Sequence, residues 1–123
     1  MPRVEVIFFR EEDGTVPLLE WLDGIAAKPR DKCYAVLERL EELGHELRRP
    51  VADYLRDDMY ELRVRLRSVN YRMLYFFHGR EVVVVSHGLV KEQRVPHKEI
   101  DLAVKRRQKF RAHPESHTFR REQ

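Results

Sequence analysis

Four arginines lie within residues 61–72, in a stretch whose other side chains are mostly apolar. Arg63, Arg65 and Arg67 alternate with aliphatic residues, and Arg72 follows after a short polar break. Alternate residues of a β-strand share one face, about 7 Å apart, and a guanidinium can hold a phosphate with two parallel hydrogen bonds. A plain solvated face would be expected to mix its charges, because like charges in a row repel. The pattern therefore predicts a phosphate-binding row and favours a nucleic-acid ligand.

Basic and titratable side chains continue in residues 86–100, after the last of the predicted central strands and at the start of a helix. The N-terminus of a helix favours an anion, and histidine is the side chain whose ordinary pKa suits proton transfer near neutrality. One histidine alone is more often a surface or core residue, so the hypothesis depends on the group as a whole. We interpret as part of the same site His87, Lys91, Arg94, His97 and Lys98.

Other kinds of catalysis are not indicated. The histidines do not show the spacing of metal ligands and the acids do not cluster with them, so we expect no metal and no cofactor. Cys33 is the only cysteine and lies within an apolar helical stripe, which predicts a core residue and excludes an internal disulfide. The sequence also has no glycine-rich phosphate loop and no nucleophile elbow.

Length and charge bound the class of protein. A chain of 123 residues is long enough for one domain with its own core. Residues 1–103 carry 17 Lys and Arg against 19 Asp and Glu, whereas residues 104–123 carry 7 against 2, so the basic surplus lies at the end. The sequence has no membrane-length apolar run and no signal peptide, and we expect a cytoplasmic protein that does not bind membranes.

Hydrophobic periodicity predicts the elements that position these residues. A strand over residues 4–9 precedes two helices with apolar stripes, and the period changes from 3.6 to 2 near Met59. The run Val82 to Val85 is apolar on both faces, which predicts a central strand covered on both sides. Three strands joined by very short, and therefore antiparallel, connections are predicted at about 59–67, 70–77 and 81–87, before a last helix that begins at Pro96.

These elements predict one α+β domain over residues 1–112, in the order β-α-α-β-β-β-α. We expect a mostly antiparallel four-stranded sheet with the helices packed on one face and the arginine row on the other. The composition of residues 113–123 predicts a basic, flexible tail. This tail could contact RNA, become ordered on a partner protein, or be only solvated.

From about Leu47 to Arg107 the sequence resembles the RelE/HigB-type toxins of bacterial type II toxin–antitoxin systems, within the RelE/ParE superfamily and including phage-derived host-inhibition proteins. The segments that carry the resemblance are RRPVADYLRDDMYELRVRL, YRMLYFFHGREVVVVSHGLVK and VPHKEIDLAVKRR. It implies a RelE/ParE-like fold and a small endoribonuclease, an mRNA interferase that cuts messenger RNA on the ribosome without a metal. It also implies a cognate helix-turn-helix antitoxin, HigA-like, that holds the toxin inactive.

The resemblance also implies roles for single residues. The basic positions before its Tyr-Arg motif fall on Arg63 and Arg65, the motif arginine on Arg72, and the basic residue after the last strand on Lys91. Arginine stays protonated, so it suits charge stabilisation, whereas Lys91 or His97 would transfer a proton, with His87 as the next candidate. We expect catalysis from Arg65, Arg72, Lys91 and His97, and RNA binding from Arg63, Arg67, His87, Arg94 and Lys98.

Two alternatives share this fold. Many relatives have two lysines after the last strand, whereas this chain has Lys91 and Glu92, and it lacks the tyrosine that some relatives have near the last helix. These departures leave open a catalytically silent module that binds nucleic acid or a partner protein. A ParE-like toxin that binds DNA gyrase is the other alternative, in which the arginine row would be dispensable.

Overall fold

The computed structural model describes residues 3–121; Met1 and Pro2 of the predicted domain and Glu122 and Gln123 of the predicted tail lie outside the described residues. Its helices are α1 (Pro17–Gly24), α2 (Ala27–Leu43) and α3 (His97–Ala112), with 3-10 turns at Gly44–Glu46 and Pro114–His117. Its strands are β1 (Glu5–Phe9), β2 (Ala52–Arg56), β3 (Met59–Leu66), β4 (Val69–His78), β5 (Val82–Val90) and β6 (Thr118–Phe119).

All six strands form one sheet, in the order β2-β3-β4-β5-β1-β6. The β1–β5 pair is parallel and the other pairs are antiparallel, which confirms the predicted α+β class and mostly antiparallel sheet. The predicted count of four strands is wrong, because β2 and β6 bring it to six. These two strands also change the predicted element order. Neither has a clear sequence signal, because β2 is short and follows a charged connector and β6 is only two residues long.

Helices cover both faces of the sheet, so the prediction that they pack on one face is wrong. Leu18 of α1 and Leu37 of α2 pack with Leu62 and Tyr75 on the first face. On the second face, α3 packs against residues of β3, β4 and β5 that include Met59, Leu74 and Phe76. Both faces need a cover because the middle of β4 and of β5 is buried without a break, as the apolar Val82 to Val85 run predicted.

The segment predicted to be a flexible tail contributes to the sheet edge. Its β6 pairs with β1, and the ring of His117 stacks on Phe9 at 5.0 Å between centroids. Nδ1 of His117 donates a hydrogen bond to the carbonyl of Arg10 at 2.7 Å, and Arg120 pairs with Glu5 at 2.6 Å. The division at residue 112 and the mobility of the segment stay predictions.

Within residues 3–121, no helix combines the length and the apolar composition that crossing a membrane requires.

Gly88 of β5 lies against Trp21 of α1. A Cβ at Gly88 would overlap the six-membered ring of Trp21. We expect Gly88→Ala to lower the free energy of unfolding by about 1–3 kcal/mol, because the indole or the strand must move. Urea denaturation measures the change. Gly24→Ala is the control, because nothing lies within 4 Å of its Cβ, and an equal loss there would contradict the explanation.

Candidate functional site

The hairpin of β3 and β4 positions three of the four arginines on one face of the sheet. Arg63 pairs across the hairpin with Arg72, and Arg65 pairs with Asn70. In β4, Arg72 shares its face with Leu74, which lies in the core beneath α3. The arginines therefore extend the face that α3 covers, beyond the part where α3 makes its apolar contacts.

Arg67 is not part of this row. The strand ends at Leu66, and Arg67 and Ser68 form a two-residue turn with φ angles of 53° and 70°. Positive φ at both central residues is the geometry of a type I′ turn, whose twist suits a hairpin. The sequence lacks the Asn-Gly pair that usually reveals such a turn, which explains why the predicted strand was one residue too long.

A buried carboxylate, which the sequence reading missed, lies between the two paired arginines. Oε1 of Glu61 accepts a hydrogen bond from Nη1 of Arg72 at 2.7 Å, and Oε2 lies 3.5 Å from Nη2 of Arg63. Glu61 is 4% exposed and Arg72 is 6% exposed, so this ion pair is largely desolvated. The alternation that predicted the arginine row also places Glu61, two residues before Arg63, on the same face.

A second carboxylate holds Arg63 from the neighbouring strand. Nη2 of Arg63 donates to Oδ2 of Asp53 at 3.1 Å, and Asp53 lies on the edge strand β2. The predicted row is thus not a free cationic surface, because its two inner members are each paired with an acid. Arg65, which is exposed, is the member of the row that faces solvent.

The end of β5 brings Lys91 to these arginines. Nε of Arg72 donates to the carbonyl of Lys91 at 2.9 Å, and the amide of Lys91 donates to the carbonyl of Asn70 at 3.2 Å. Nη1 of Arg65 reaches the side chain of Asn70 at 3.5 Å. Three of the four predicted catalytic residues therefore meet around Asn70, and the side chain of Lys91 is exposed beside them.

His97, the fourth predicted catalytic residue, lies apart from this group. It begins α3, where its Nδ1 accepts a hydrogen bond from Nε of Arg56 at 3.2 Å. Arg56 pairs with Met59, which is four residues from Arg63 along β3, or about 13 Å at the usual rise of a strand. Arg94 is exposed in the segment that links β5 to α3, and Lys98 is exposed in the first turn of α3.

His87 is buried rather than presented to solvent. Its Nδ1 and the Ser86 hydroxyl are 2.8 Å apart, and its Nε2 lies 2.9 Å from Oε1 of Glu99 in the first turn of α3. Burial lowers the pKa of His87, and the charge of Arg106 acts in the same direction, against the hydrogen bond that His87 makes to Glu99. The side chain links β5 to α3, and this position does not favour its predicted contact with RNA.

The lowered pKa of His87 predicts a dependence of stability on pH. Below about pH 6.5, the ordinary histidine pKa, the unfolded chain takes up a proton that the folded chain binds less well. The contribution of His87 is therefore present above that pH and is lost on acidification, by up to about 1.4 kcal/mol per pH unit. Urea denaturation between pH 7.5 and 5 should show a steeper decline for the wild type than for His87→Gln. Parallel curves would contradict this role.

Comparison with known protein families places the chain in one of them. Residues 20–108 match the family described as phage derived protein Gp49-like (DUF891), and the chain belongs to this family. The Gp49-like family is a RelE-like family associated with toxin–antitoxin systems. The matched segment runs from α1 into α3 and includes every predicted site residue. A search of curated proteins found no match.

Proposed function

We propose that the protein is the toxin of a type II toxin–antitoxin pair, and that it is a metal-free endoribonuclease of the RelE/HigB type that cuts messenger RNA on the ribosome. The observation that carries the proposal is the convergence of Arg65, Arg72 and Lys91 around Asn70, on an open end of the sheet. Family membership supports the toxin assignment.

The reaction that suits this site is an in-line attack by a ribose 2′-OH on the adjacent phosphorus. The 2′-OH gives up its proton to solvent as the 2′-oxygen–phosphorus bond forms, and the bond from phosphorus to the 5′-oxygen breaks as that oxygen takes up a proton, which leaves a 2′,3′-cyclic phosphate and a 5′-OH. Negative charge grows on the non-bridging oxygens, where fixed cationic donors stabilise it. Arg65 and Lys91 are exposed for direct contact, whereas Arg63 and Arg72 are held by Glu61 and shape the floor beneath them.

Proton transfer requires a different kind of side chain from charge stabilisation. An arginine cannot give up its proton at working pH, and His97 bonds to Arg56 at the other end of the hairpin. We therefore assign the donation of a proton to the leaving 5′-oxygen to Lys91. Its backbone is fixed by Arg72 and Asn70, so a change of its side chain leaves these contacts intact.

Substitution of Lys91 tests this assignment. We expect Lys91→Ala to lower kcat by roughly 10²–10⁴-fold, the usual contribution of a general acid or base, with little change in KM. Lys91→Arg keeps the charge but not the transferable proton, so kcat should stay low in single-turnover cleavage of ribosome-bound message. Lys32→Ala, on the exposed surface of α2, is the matched control. Full activity in Lys91→Arg would show that only the charge matters.

The pairing of Arg63 and Arg72 with acids supports the proposed dependence on the ribosome. With these two guanidiniums already bound to carboxylates, the free chain offers few unpaired cations at the site, and the ribosome would have to hold the message in line. We expect cleavage in a translating extract, with 5′-OH ends, and at least 100-fold less cleavage of naked RNA. Arg65→Ala should reduce both. Equal cutting of naked and ribosome-bound message would refute the ribosome requirement.

The partner that we propose is a HigA-like helix-turn-helix antitoxin. A toxin–antitoxin family implies an antitoxin, and co-expression with the neighbouring short reading frame would test this identity by the rescue of growth.

A catalytically silent module is the second candidate, and the two carboxylates beside the arginines favour it. Such a module would bind RNA but leave the message intact in the extract.

A ParE-like toxin would instead inhibit supercoiling by gyrase, and Arg65→Ala would not relieve that inhibition.

A further inference from the structure

An open groove lies on the other face of the hairpin, beside the edge strand β2. Its volume is about 490 Å³, and its lining includes His45, Arg48, Arg49, Tyr54 and Tyr60. The groove lies on the α2 face of the sheet, whereas the arginine cluster lies on the α3 face. Apart from Asp53, which holds Arg63, its lining residues form no part of the site described above.

Tyr54 presents an aromatic surface to this groove. Its side chain is 51% exposed, the most of any large hydrophobic residue among those that the structure describes. The ring is supported edge-on by Tyr60 at 5.3 Å between centroids, and Tyr60 stacks on buried Tyr75 at 5.5 Å. The hydroxyl of Tyr54 accepts a hydrogen bond from the amide of Asp58 at 3.2 Å. An exposed ring held at both ends is a ready stacking platform, because every nucleobase has a π-face.

The charged residues that line the groove, two arginines and one acid, favour an anion. Arg48 and Arg49 are both exposed in the groove, and Asp53 is the only acid in its lining. A guanidinium beside a tyrosine matches the phosphate and the base of one nucleotide. A protein strand could also pair with the free edge of β2, but it would give no role to the two arginines unless it were acidic.

Asp53 connects the groove to the arginine cluster. Its Oδ1 accepts from Nε of Arg49 at 3.1 Å, and its Oδ2 accepts from Nη2 of Arg63 at 3.1 Å. One carboxylate thus lies between a groove arginine and a cluster arginine, around the edge of β2. A single strand of RNA on the cluster would need only to pass this edge to reach Tyr54.

We infer that the groove is a second RNA-binding subsite, which takes a nucleotide next to those on the arginine cluster by stacking its base on Tyr54 and pairing its phosphate with Arg48. The identity of the ligand as RNA rests on the proposed function. The subsite contributes to affinity and not to the chemical step.

Binding of a non-cleavable RNA tests this without relying on activity. The probe is a fluorescein-labelled eight-nucleotide single strand with 2′-O-methyl ribose at every position, titrated with the full chain and followed by anisotropy. Tyr54→Ala should weaken binding about 5- to 20-fold, within the range of one lost stacking contact. Tyr54→Phe keeps the ring and should stay within about twofold of the wild type. Loss of affinity in Tyr54→Phe equal to that in Tyr54→Ala would overturn the stacking role.

The phosphate contact has a separate signature in the dependence on salt. Arg48→Gln should weaken binding and reduce the slope of log K against log salt by about 0.7, the value for one phosphate contact on a single strand. Two matched controls should bind as the wild type does. Arg80→Gln, in the exposed turn between β4 and β5, matches Arg48→Gln, and Leu102→Ala, at an exposed position of α3, matches Tyr54→Ala. Equal effects of Arg48→Gln and Arg80→Gln would overturn the specific contact.

An abasic version of the probe isolates the base. Tyr54→Ala should not weaken binding of a strand without bases any further, because the stacking partner is already missing.

If Tyr54→Ala leaves binding of the intact probe unchanged while Arg65→Ala weakens it, the subsite is wrong and the proposed active site stands. If Tyr54 governs binding but no message is ever cut, the subsite stands and the proposed nuclease fails. A labelled peptide of alternating Glu and Val that binds through Tyr54, where RNA does not, would overturn the proposal in favour of a protein strand.

Discussion

Two guanidinium groups directly opposite each other on neighbouring strands repel, and the β3–β4 hairpin places Arg63 and Arg72 in that relation. The structure resolves this conflict with Glu61, which contacts both. The carboxylate is nearly inaccessible to water, and so is Arg72, the closer of its two partners. Loss of either member of such a pair leaves an uncompensated buried charge, at a cost of about 3–5 kcal/mol. The site and the register of the hairpin therefore depend on the same ion pair.

The ion pair also positions the groups that remain exposed. Arg72 uses a different nitrogen for the carbonyl of Lys91, so the chain after β5 is fixed to the same point. The side chain of Asn70 extends this connection, because its Oδ1 accepts from Arg65 and its Nδ2 donates to the carbonyl of Glu92. The result is a rigid floor of neutralised arginines with Arg65 and Lys91 above it. Fixed donors of this kind need little reorganisation when negative charge develops.

Periodicity predicted the three central strands because long apolar alternation is a strong signal, and it failed for β2 and β6, which are short. It predicted the arginine row because residues two apart share a strand face. It did not predict Asp53 as a partner of the row, because Asp53 approaches from β2 through tertiary pairing. Proximity in sequence misled for His97, which follows Lys91 closely in the chain but bonds to Arg56 at the far end of the hairpin. Glu61 fits the same alternation as the arginines. Its charge is negative, however, and the prediction of the row was based on positive charges alone.

At the edge strand β2, the two faces of the sheet cannot be considered separately. Inside a sheet, side chains on opposite faces are separated by the backbone, and their chemistry can be considered independently. At an edge no further strand intervenes, so a long side chain from one face can reach around the backbone to the other. Asp53 lies on such a strand, and its two oxygens bind Arg49 and Arg63. An alternating network of charges, Arg49–Asp53–Arg63, therefore passes around this edge of the sheet and connects the groove beside Tyr54 to the arginine cluster.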